Sequence, residues 1–235
     1  MLTSVSSWLL SCLKVQSVKQ GFAPAPTFAP VKINPKFFIG LGLLLIVGYF
    51  LQDLVLSDSQ YIIGVKKKRQ EKDDSFRRVS GSPLSQAQRD TFKALPYYEP
   101  DRAYRLDAQY QGLTKRDTAR MATTGAQPET YLRWGQATFI LNKQEYKLTL
   151  YRRAFGPDTT LFIPFADRTN GLVTYGGGRY LDAAVPAPDD TEITLDFNHA
   201  YNPYCAYNNS FVCPLPPTEN RLNVEIPAGE KAFHE

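Results

Sequence analysis

The sequence predicts a mainly β protein: an antiparallel β-barrel or sandwich of about seven or eight strands, preceded by a transmembrane helix and one or two short helices. Three observations predict this class. The composition combines 14 Tyr and 14 Phe with 17 Pro and 15 Gly, which favours short strands joined by turns. Segments with a hydrophobic period of two fill the C-terminal half of the chain. A run of apolar residues without any charge lies near the N-terminus.

The N-terminal part divides into an arm and an apolar segment. Residues 1–36 are rich in Ser, Ala and Pro without a regular period, which predicts a flexible arm. Residues 37–56 begin with FFIGLGLLLIVGYFL and would reach roughly 30 Å as a helix, enough to cross a bilayer core. We expect a single-pass membrane anchor, with a cleaved signal sequence and a buried core helix as alternatives. The signal-like pattern places the β domain outside the cytoplasm, on the periplasmic side.

Residues 57–100 are predicted to be a helical linker segment. Residues 57–78 resemble a capped helix with a thin apolar stripe, and residues 85–95 a second short helix. The basic cluster at residues 66–69 is interpreted as a solvated helix face, with contact to lipid headgroups as the alternative.

The β domain is predicted to occupy residues 101–235. Asn170-Gly171 is the strongest turn signal in it, and residues 114–129 are polar enough to predict a loop. The predicted strands are residues 103–109, 131–141, 146–151, 160–165, 172–175, 179–182, 192–197 and 221–226.

Charge and motifs exclude some function classes. The net charge is +4, from 27 basic and 23 acidic residues spread through the chain, so we expect no nucleic-acid partner. The three glycines at residues 176–178 are consecutive and no helical pattern follows them, so they are not a dinucleotide fingerprint. We therefore expect no cofactor.

Several long segments carry a family resemblance. FADRTNGLVTYGGGRYLD, FNHAYNPYCAYNNSFVCPLPPTENRL and VEIPAGEKAF resemble the bacterial family known as domain of unknown function 1684. SPLSQAQRDTF and YLRWGQATFIL are similar to earlier segments of that family, so the resemblance covers residues 57–233. It implies no activity and no catalytic residues. The predicted membrane anchor is an addition to the soluble form of the family.

The glycine hairpin and the proline-rich loop predict one polar aromatic pocket. Consecutive glycines let another group approach the backbone closely, and a bulge or barrel corner is the alternative. The prolines of PLPP hold Arg221 in a defined orientation, and its alternative role is an ion pair with Asp167 or Glu219. The residues predicted to contact a small or extended ligand are Tyr175, Arg179, Tyr180, Asn198, His199, Tyr201, Asn202 and Arg221.

Cys205 and Cys213 are a disulfide candidate. They have seven residues between them, so a disulfide would close a small loop in an oxidising compartment. Buried free thiols are the main alternative. A metal site would need more ligands than His199 and these two cysteines provide, so we predict none.

Three functions are compatible with these features. The preferred one is a membrane-anchored extracytoplasmic domain that binds a small ligand of unknown identity in the polar aromatic pocket. The second is an accessory structural subunit of a membrane protein complex, attached through the anchor helix and its glycines. The third is a hydrolase-like enzyme that uses His199 with neighbouring acids. Whether the protein is an enzyme is left open by the sequence.

Overall fold

The computed structural model describes residues 35–78, 80–154 and 159–233. The predicted arm therefore lies outside the described residues, except for its last two positions. The chain separates into two compact units, Met1–Gly48 and Tyr49–Glu235. The sheet, the pockets and the side-chain contacts described below all belong to the second unit.

Helix α1 spans Pro35–Arg77 without interruption. The predicted start of a separate helix at residue 57 is wrong. No glycine or proline interrupts the chain at this point, and Ser and Asp cost a helix interior only about a few tenths of a kcal/mol each. Among the residues that the structure describes, no helix is long and apolar enough to cross a membrane. The predicted anchor thus gains no support from the structure.

The C-terminal part of α1 packs onto the β domain. Val65 and Phe76 are buried, as the apolar stripe of this helix predicted, and Asp73 is buried beside them. The carboxylate of Asp73 accepts the backbone N–H of Leu95 at 3.0 Å, which fixes the start of the β domain against the helix. The helix is therefore a wall of the domain rather than a linker.

Helix α2 is a single short element at Gln86–Thr91. Ser85 accepts the N–H of Gln88, and the Gln88 side chain accepts the N–H of Ser85 at 2.9 Å, which is a capping box. The helix ends earlier than predicted, because Phe92 already adopts an extended backbone.

One antiparallel sheet of seven strands forms the body of the domain. Along the sheet the order is β6-β5-β4-β3-β1-β7, and β2 pairs with β3 beside this path. The sheet curls into a half-barrel, so the predicted β class is confirmed in this form. The strands are β1 Arg105–Gly112, β2 Thr118–Met121, β3 Glu129–Leu141, β4 Gln144–Arg153, β5 Thr160–Phe165, β6 Arg179–Ala184 and β7 Glu192–Asp196.

The long hairpin β3–β4 is the centre of the sheet. Asn142 and Lys143 connect its strands with φ of 53° and 64°, the positive values that a tight two-residue hairpin turn requires. A register shift between Arg133 and Gly135 marks a bulge that helps the sheet to curl.

The main core lies on one face of the curled sheet. Beyond the bulge, alternate residues of β3 enter this core, as Ala137, Phe139 and Leu141 show, because successive side chains of a strand point to opposite faces. Strands β4 to β7 add apolar side chains to the same core. Its largest buried members are Phe139, Leu148, Leu150, Leu161, Ile163, Phe165, Leu181, Leu195 and Phe197.

Three local predictions are wrong. Residues 118–121 form β2 inside a region predicted as loop. Residues 172–175 form turns, because the Thr169 carbonyl accepts the N–H groups of Leu172, Val173 and Thr174. Residues 221–226 form no ladder strand, although their alternate burial is real. This segment instead docks on the loop after β5: the N–H of Leu222 bonds to Ala166, and that of Arg168 to Val224.

Candidate functional site

Arg179 is a structural residue rather than part of a ligand pocket. Its side chain is fully buried and forms an ion pair with the buried Asp167, Nη2 to Oδ2, at 2.5 Å. The same guanidinium donates to the carbonyl of Ile226 at 2.9 Å and to that of Ala228. We therefore correct the predicted role: Arg179 has no surface left to offer a ligand, and it fastens the C-terminal segment to the sheet.

The group Glu219-Asn220-Arg221 also divides differently from the prediction. Asn220 is the buried member, and its amide bonds to both backbone groups of Thr149 and to the carbonyl of Pro164. Arg221 is exposed and lies in neither pocket described below. The predicted pairing of Arg221 with Asp167 is replaced by the Arg179 pair.

Gly178 explains part of the glycine run. Its φ of +88° favours glycine, and a methyl group there would collide with Cγ of Pro216 and lie 2.8 Å from the carbonyl oxygen of Phe165. The glycine therefore lets the proline-rich loop lie directly against the sheet, which is the close approach that the sequence suggested.

A pocket of about 320 Å³ lies between α1 and the 3-10 helix Phe197–His199, and we call it the α1 pocket. Three basic side chains of α1 and one buried carboxylate contribute to its lining, together with three tyrosines. The lining residues are Lys68, Arg69, Lys72, Tyr97, Asn198, His199, Ala200, Tyr201, Tyr204 and Glu230.

Arg69 is half-buried in this pocket. Its Nη1 donates to the carbonyl of Tyr98 at 2.6 Å and its Nη2 to that of Asn198 at 3.1 Å. The guanidinium carbon lies 4.5 Å from the centroid of the Tyr97 ring. Its Nε is buried without a hydrogen-bond partner among the described residues. Burial lowers the pKa of Arg69, and the nearby Tyr97, Glu99 and Glu230 oppose this shift only in part.

Glu230 is a buried and fully paired carboxylate. It accepts the N–H of Asn202 at 2.7 Å and the hydroxyl groups of Tyr207 at 2.5 Å and Tyr97 at 3.2 Å. Lys72 completes the set with an ion pair. The pKa values of Tyr97 and Tyr207 are raised well above the ordinary tyrosine value, mainly by burial and next by the negative charge of Glu230. Both hydroxyl groups therefore remain hydrogen-bond donors at neutral pH.

His199 lies at the edge of the pocket beside Asp196. Their atoms Nε2 and Oδ2 are 3.6 Å apart. Burial lowers the pKa of His199 below its ordinary value; Asp196 opposes this shift, whereas Lys68 and Arg69 add to it. The described part of the pocket lining contains no Ser, Thr or Cys, so hydrolysis by these residues would need water as the nucleophile.

Asn198 holds this end of the pocket in place. Its amide donates to the carbonyl of Asp101 at 2.7 Å and to the Tyr61 hydroxyl at 2.9 Å, and it accepts the N–H of Asp101 at 2.9 Å. The Tyr61 hydroxyl in turn donates to Asp196 at 2.9 Å. Asn198 therefore serves the site through its backbone carbonyl and through the fixed position of its neighbour His199.

The structure distributes the predicted ligand residues over two places. Asn198, His199 and Tyr201 line the α1 pocket. Tyr201 also lines a second pocket of about 500 Å³ on the sheet side, together with Tyr180 and Asn202. Tyr175, Arg179 and Arg221 line neither.

The basic side chains of the α1 pocket are not among the predicted ligand residues. Arg69 and Lys72 lie on the same helix face as Val65 and Phe76, since the spacing of four, three and four residues repeats the helical period. A break in the apolar stripe by two basic residues was the available signal. The neighbouring charges of the cluster at residues 66–69 instead indicate a solvated helix face.

Cys205 and Cys213 are free buried thiols in the structure, and neither lines the α1 pocket. The backbone N–H of Cys205 donates to Sγ of Cys213 at 3.2 Å, so the two residues are adjacent, as a disulfide candidate requires. Among the described residues no group of His, Cys, Asp and Glu could hold a metal ion. The disulfide itself stays a prediction.

Comparisons with known proteins place the chain in a family. A family model described as "Protein of unknown function (DUF1684)" matches residues 90–231. The solution NMR structure of an uncharacterized protein from gene locus rrnAC0354 of Haloarcula marismortui is similar, with 35% identity and a TM-score of 0.62. The match covers 76% of this chain and 98% of the haloarchaeal one. None of the curated proteins matches the chain.

Proposed function

Since the chain belongs to the DUF1684 family, which is described only as of unknown function, we infer its function from geometry and propose that the α1 pocket binds a small organic anion. The proposal makes the protein a ligand-binding domain, and it moves the predicted site from the glycine hairpin to the helix. Association with a membrane, a location outside the cytoplasm and a partner subunit stay predictions.

The charge of the lining supports an anionic ligand. Lys68, Arg69 and Lys72 carry three positive charges, and Glu230 is the single carboxylate among the described residues of the lining. Lys72 already pairs with Glu230. Two cations are left without an ion pair to any carboxylate among the described residues, so the pocket has a net positive charge.

The Arg69 guanidinium is the observation that carries the proposal. The direct hydrogen-bond acceptors of this half-buried cation are neutral carbonyl groups, and the nearby charges of Glu99 and Glu230 offset only part of its desolvation. Arg has five N–H donors, and within the described part of the chain two of those of Arg69 bond to protein acceptors. A carboxylate or phosphate group would supply the missing charge and accept remaining donors at the pocket surface.

The tyrosines support a ligand with an apolar or aromatic body. Tyr97, Tyr201 and Tyr204 form much of the wall, and Ala200 adds another apolar contact. Small-molecule pockets of a few hundred Å³ typically combine such walls with a few placed polar groups. Benzoate and phenyl phosphate therefore match the site, whereas an uncharged analogue such as benzyl alcohol should not.

Thermal unfolding with increasing anion concentration tests the proposal. At a ligand concentration of about 100 Kd, binding adds about 2.7 kcal/mol to stability, which raises Tm by about 5–11 °C for a chain of this size. Benzoate or phenyl phosphate should produce this shift, and benzyl alcohol should not. Isothermal titration calorimetry then gives the Kd.

Two arginine variants make the test specific. Arg69→Gln removes the charge-assisted bonds and should weaken anion binding about 10- to 100-fold. Arg221→Gln removes an exposed arginine outside the pocket and should leave the Kd unchanged. The proposal fails if no anion shifts Tm, or if both variants bind as the unmodified protein does.

A further inference from the structure

Cys205 and Cys213 form a preassembled pair of thiols that anion binding does not use. Both are buried, with 6% of their surface exposed, and the N–H of Cys205 points at the sulfur of Cys213. The backbone N–H of Cys213 donates to Oγ1 of Thr124 at 3.0 Å, which fixes the second cysteine against the loop after β2. The hydroxyl of Tyr175 lies 3.7 Å from Sγ of Cys205.

The surroundings polarise the two sulfurs in opposite directions. The neighbouring Cys213 thiol lowers the pKa of Cys205 to about 6. Burial opposes this shift, whereas the Tyr175 hydroxyl lowers the pKa of Cys205 further. The hydrogen bond with Cys205 raises the pKa of Cys213, and burial adds to the rise. The opposite shifts favour a thiolate at Cys205 and a protonated thiol at Cys213.

Access to the pair favours a very small reagent. Cys213 and Tyr204, the residue before Cys205, line the second pocket of about 500 Å³, which brings a small molecule in this pocket next to the pair. The low exposure of both side chains excludes close approach by a bulky disulfide. A hydroperoxide as small as hydrogen peroxide, which is only slightly larger than water, can reach the site.

We propose that Cys205 and Cys213 are a redox pair that a hydroperoxide oxidises to an intramolecular disulfide. The inference does not rest on anion binding in the α1 pocket. It identifies an oxidation site with a nucleophilic cysteine, Cys205, and a resolving cysteine, Cys213. In this proposal the free thiols of the structure are the reduced form of the pair, and the predicted disulfide is its oxidised form.

The reaction balances in two steps. The thiolate of Cys205 attacks one oxygen of hydrogen peroxide; the O–O bond breaks, a sulfenic acid forms, and the hydroxide released takes a proton to become water. The Cys213 sulfur then attacks Cys205; the S–S bond forms, the S–O bond breaks, and the leaving hydroxide takes the Cys213 proton. In total, two thiols and one peroxide give one disulfide and two waters, so the sulfurs lose the two electrons that the peroxide gains.

Oxidation should rigidify the segment that connects the two pockets. Tyr204, next to Cys205, lines both pockets, and the loop from Cys205 to Cys213 would be closed by the new bond. In the chain-entropy account, closing a loop this short raises Tm by about 5–10 °C. Dithiothreitol should reverse the rise.

Thiol counting on the full chain tests the proposal. The reduced protein should show three thiols after denaturation, because the chain has 3 Cys. Treatment with one equivalent of hydrogen peroxide should leave one thiol, with loss of two hydrogen atoms from the intact mass and recovery by dithiothreitol. Cys12→Ser should go from two thiols to none, whereas Cys205→Ser and Cys213→Ser should form no intramolecular disulfide.

The rate of oxidation provides a second measurement that does not depend on removing a cysteine. The rate should rise with pH and reach half its maximum near pH 6, since the Cys205 thiolate is the reacting form. Tyr175→Phe removes one donor and should move this midpoint to higher pH with the same product. The proposal is overturned if peroxide leaves three thiols, if the disulfide involves Cys12, or if the midpoint lies above pH 8.

Discussion

Replacing Arg179 by methionine should lower the free energy of unfolding by about 3–5 kcal/mol. Methionine keeps much of the length and the apolar stem of the side chain, so the change removes the charge with little change in packing. The carboxylate of Asp167 is then buried without its cation, since neither side chain of the pair is exposed. The carbonyls of Ile226, Ala228 and Glu230 lose a donor at the same time.

The size of the loss follows from what remains around Asp167. Its Oδ1 still accepts the N–H of Thr169 at 2.6 Å and the Thr169 hydroxyl, so one oxygen keeps its partners. Its Oδ2 loses the Arg179 bond. Breaking a buried ion pair from one side costs about 3–5 kcal/mol, which is a large part of the 5–15 kcal/mol typical of a domain.

Urea unfolding followed by circular dichroism measures the effect. Arg221→Met is the matched control, because Arg221 is exposed, and it should stay within about 0.5 kcal/mol of the unmodified protein. Asp167→Leu combined with Arg179→Met should recover part of the loss, since it removes the uncompensated charge. A loss below about 1 kcal/mol for Arg179→Met would refute the structural role, as would equal losses at both arginines.

Two further predictions concern the glycine run and His199. Gly178→Ala should lower the free energy of unfolding by about 2–4 kcal/mol, because the new methyl group meets Pro216 and the backbone has a positive φ. Gly171→Ala is the control: its φ is +77° but the space around it is open, so the loss should be about 1–2 kcal/mol. Equal losses of Tm for the two variants would contradict this reasoning. His199→Gln tests the lowered pKa: below pH 6.5 the unfolded chain binds more protons at this residue than the folded chain, so stability is lost as pH falls. Urea unfolding at pH 8 and pH 5.5 should therefore show a smaller loss on acidification for His199→Gln, and an identical pH dependence would count against the assignment.

The strands were predictable where burial alternates and a ladder partner exists. Strands β3 and β7 follow this rule, and their predicted and observed limits agree within two residues. Strand β2 does alternate, but with only four residues and two buried side chains the period is too short to distinguish a strand from a loop. Residues 221–226 alternate equally well, yet their partners are a loop and the Arg179 guanidinium. Periodicity reports which face is buried, and it does not report what covers that face.

The site was less predictable than the fold for a related reason. The loop rich in Tyr, Asn and Cys predicts ligand contacts, and two of its residues, His199 and Tyr201, do line the α1 pocket. The basic residues of the pocket come from a helix more than 100 positions earlier in the sequence. Only the fold brings Arg69 next to Asn198, and the charges near Arg69 in the sequence suggested a solvated helix.

Arg69 and Arg179 are the same residue type, and only their surroundings in the structure distinguish an arginine that stabilises the fold from one that is proposed to bind a ligand. Both are removed from solvent to a large extent, both donate to backbone carbonyls, and each has an Nε without a partner among the described residues. Arg179 meets a buried carboxylate inside the protein, so its charge is already compensated. Arg69 meets none among the described residues and borders a pocket. Removing a charge from solvent without a counter-charge in contact lowers the stability of the fold. A ligand that brings the opposite charge is the simplest reason for the fold to retain such an arginine.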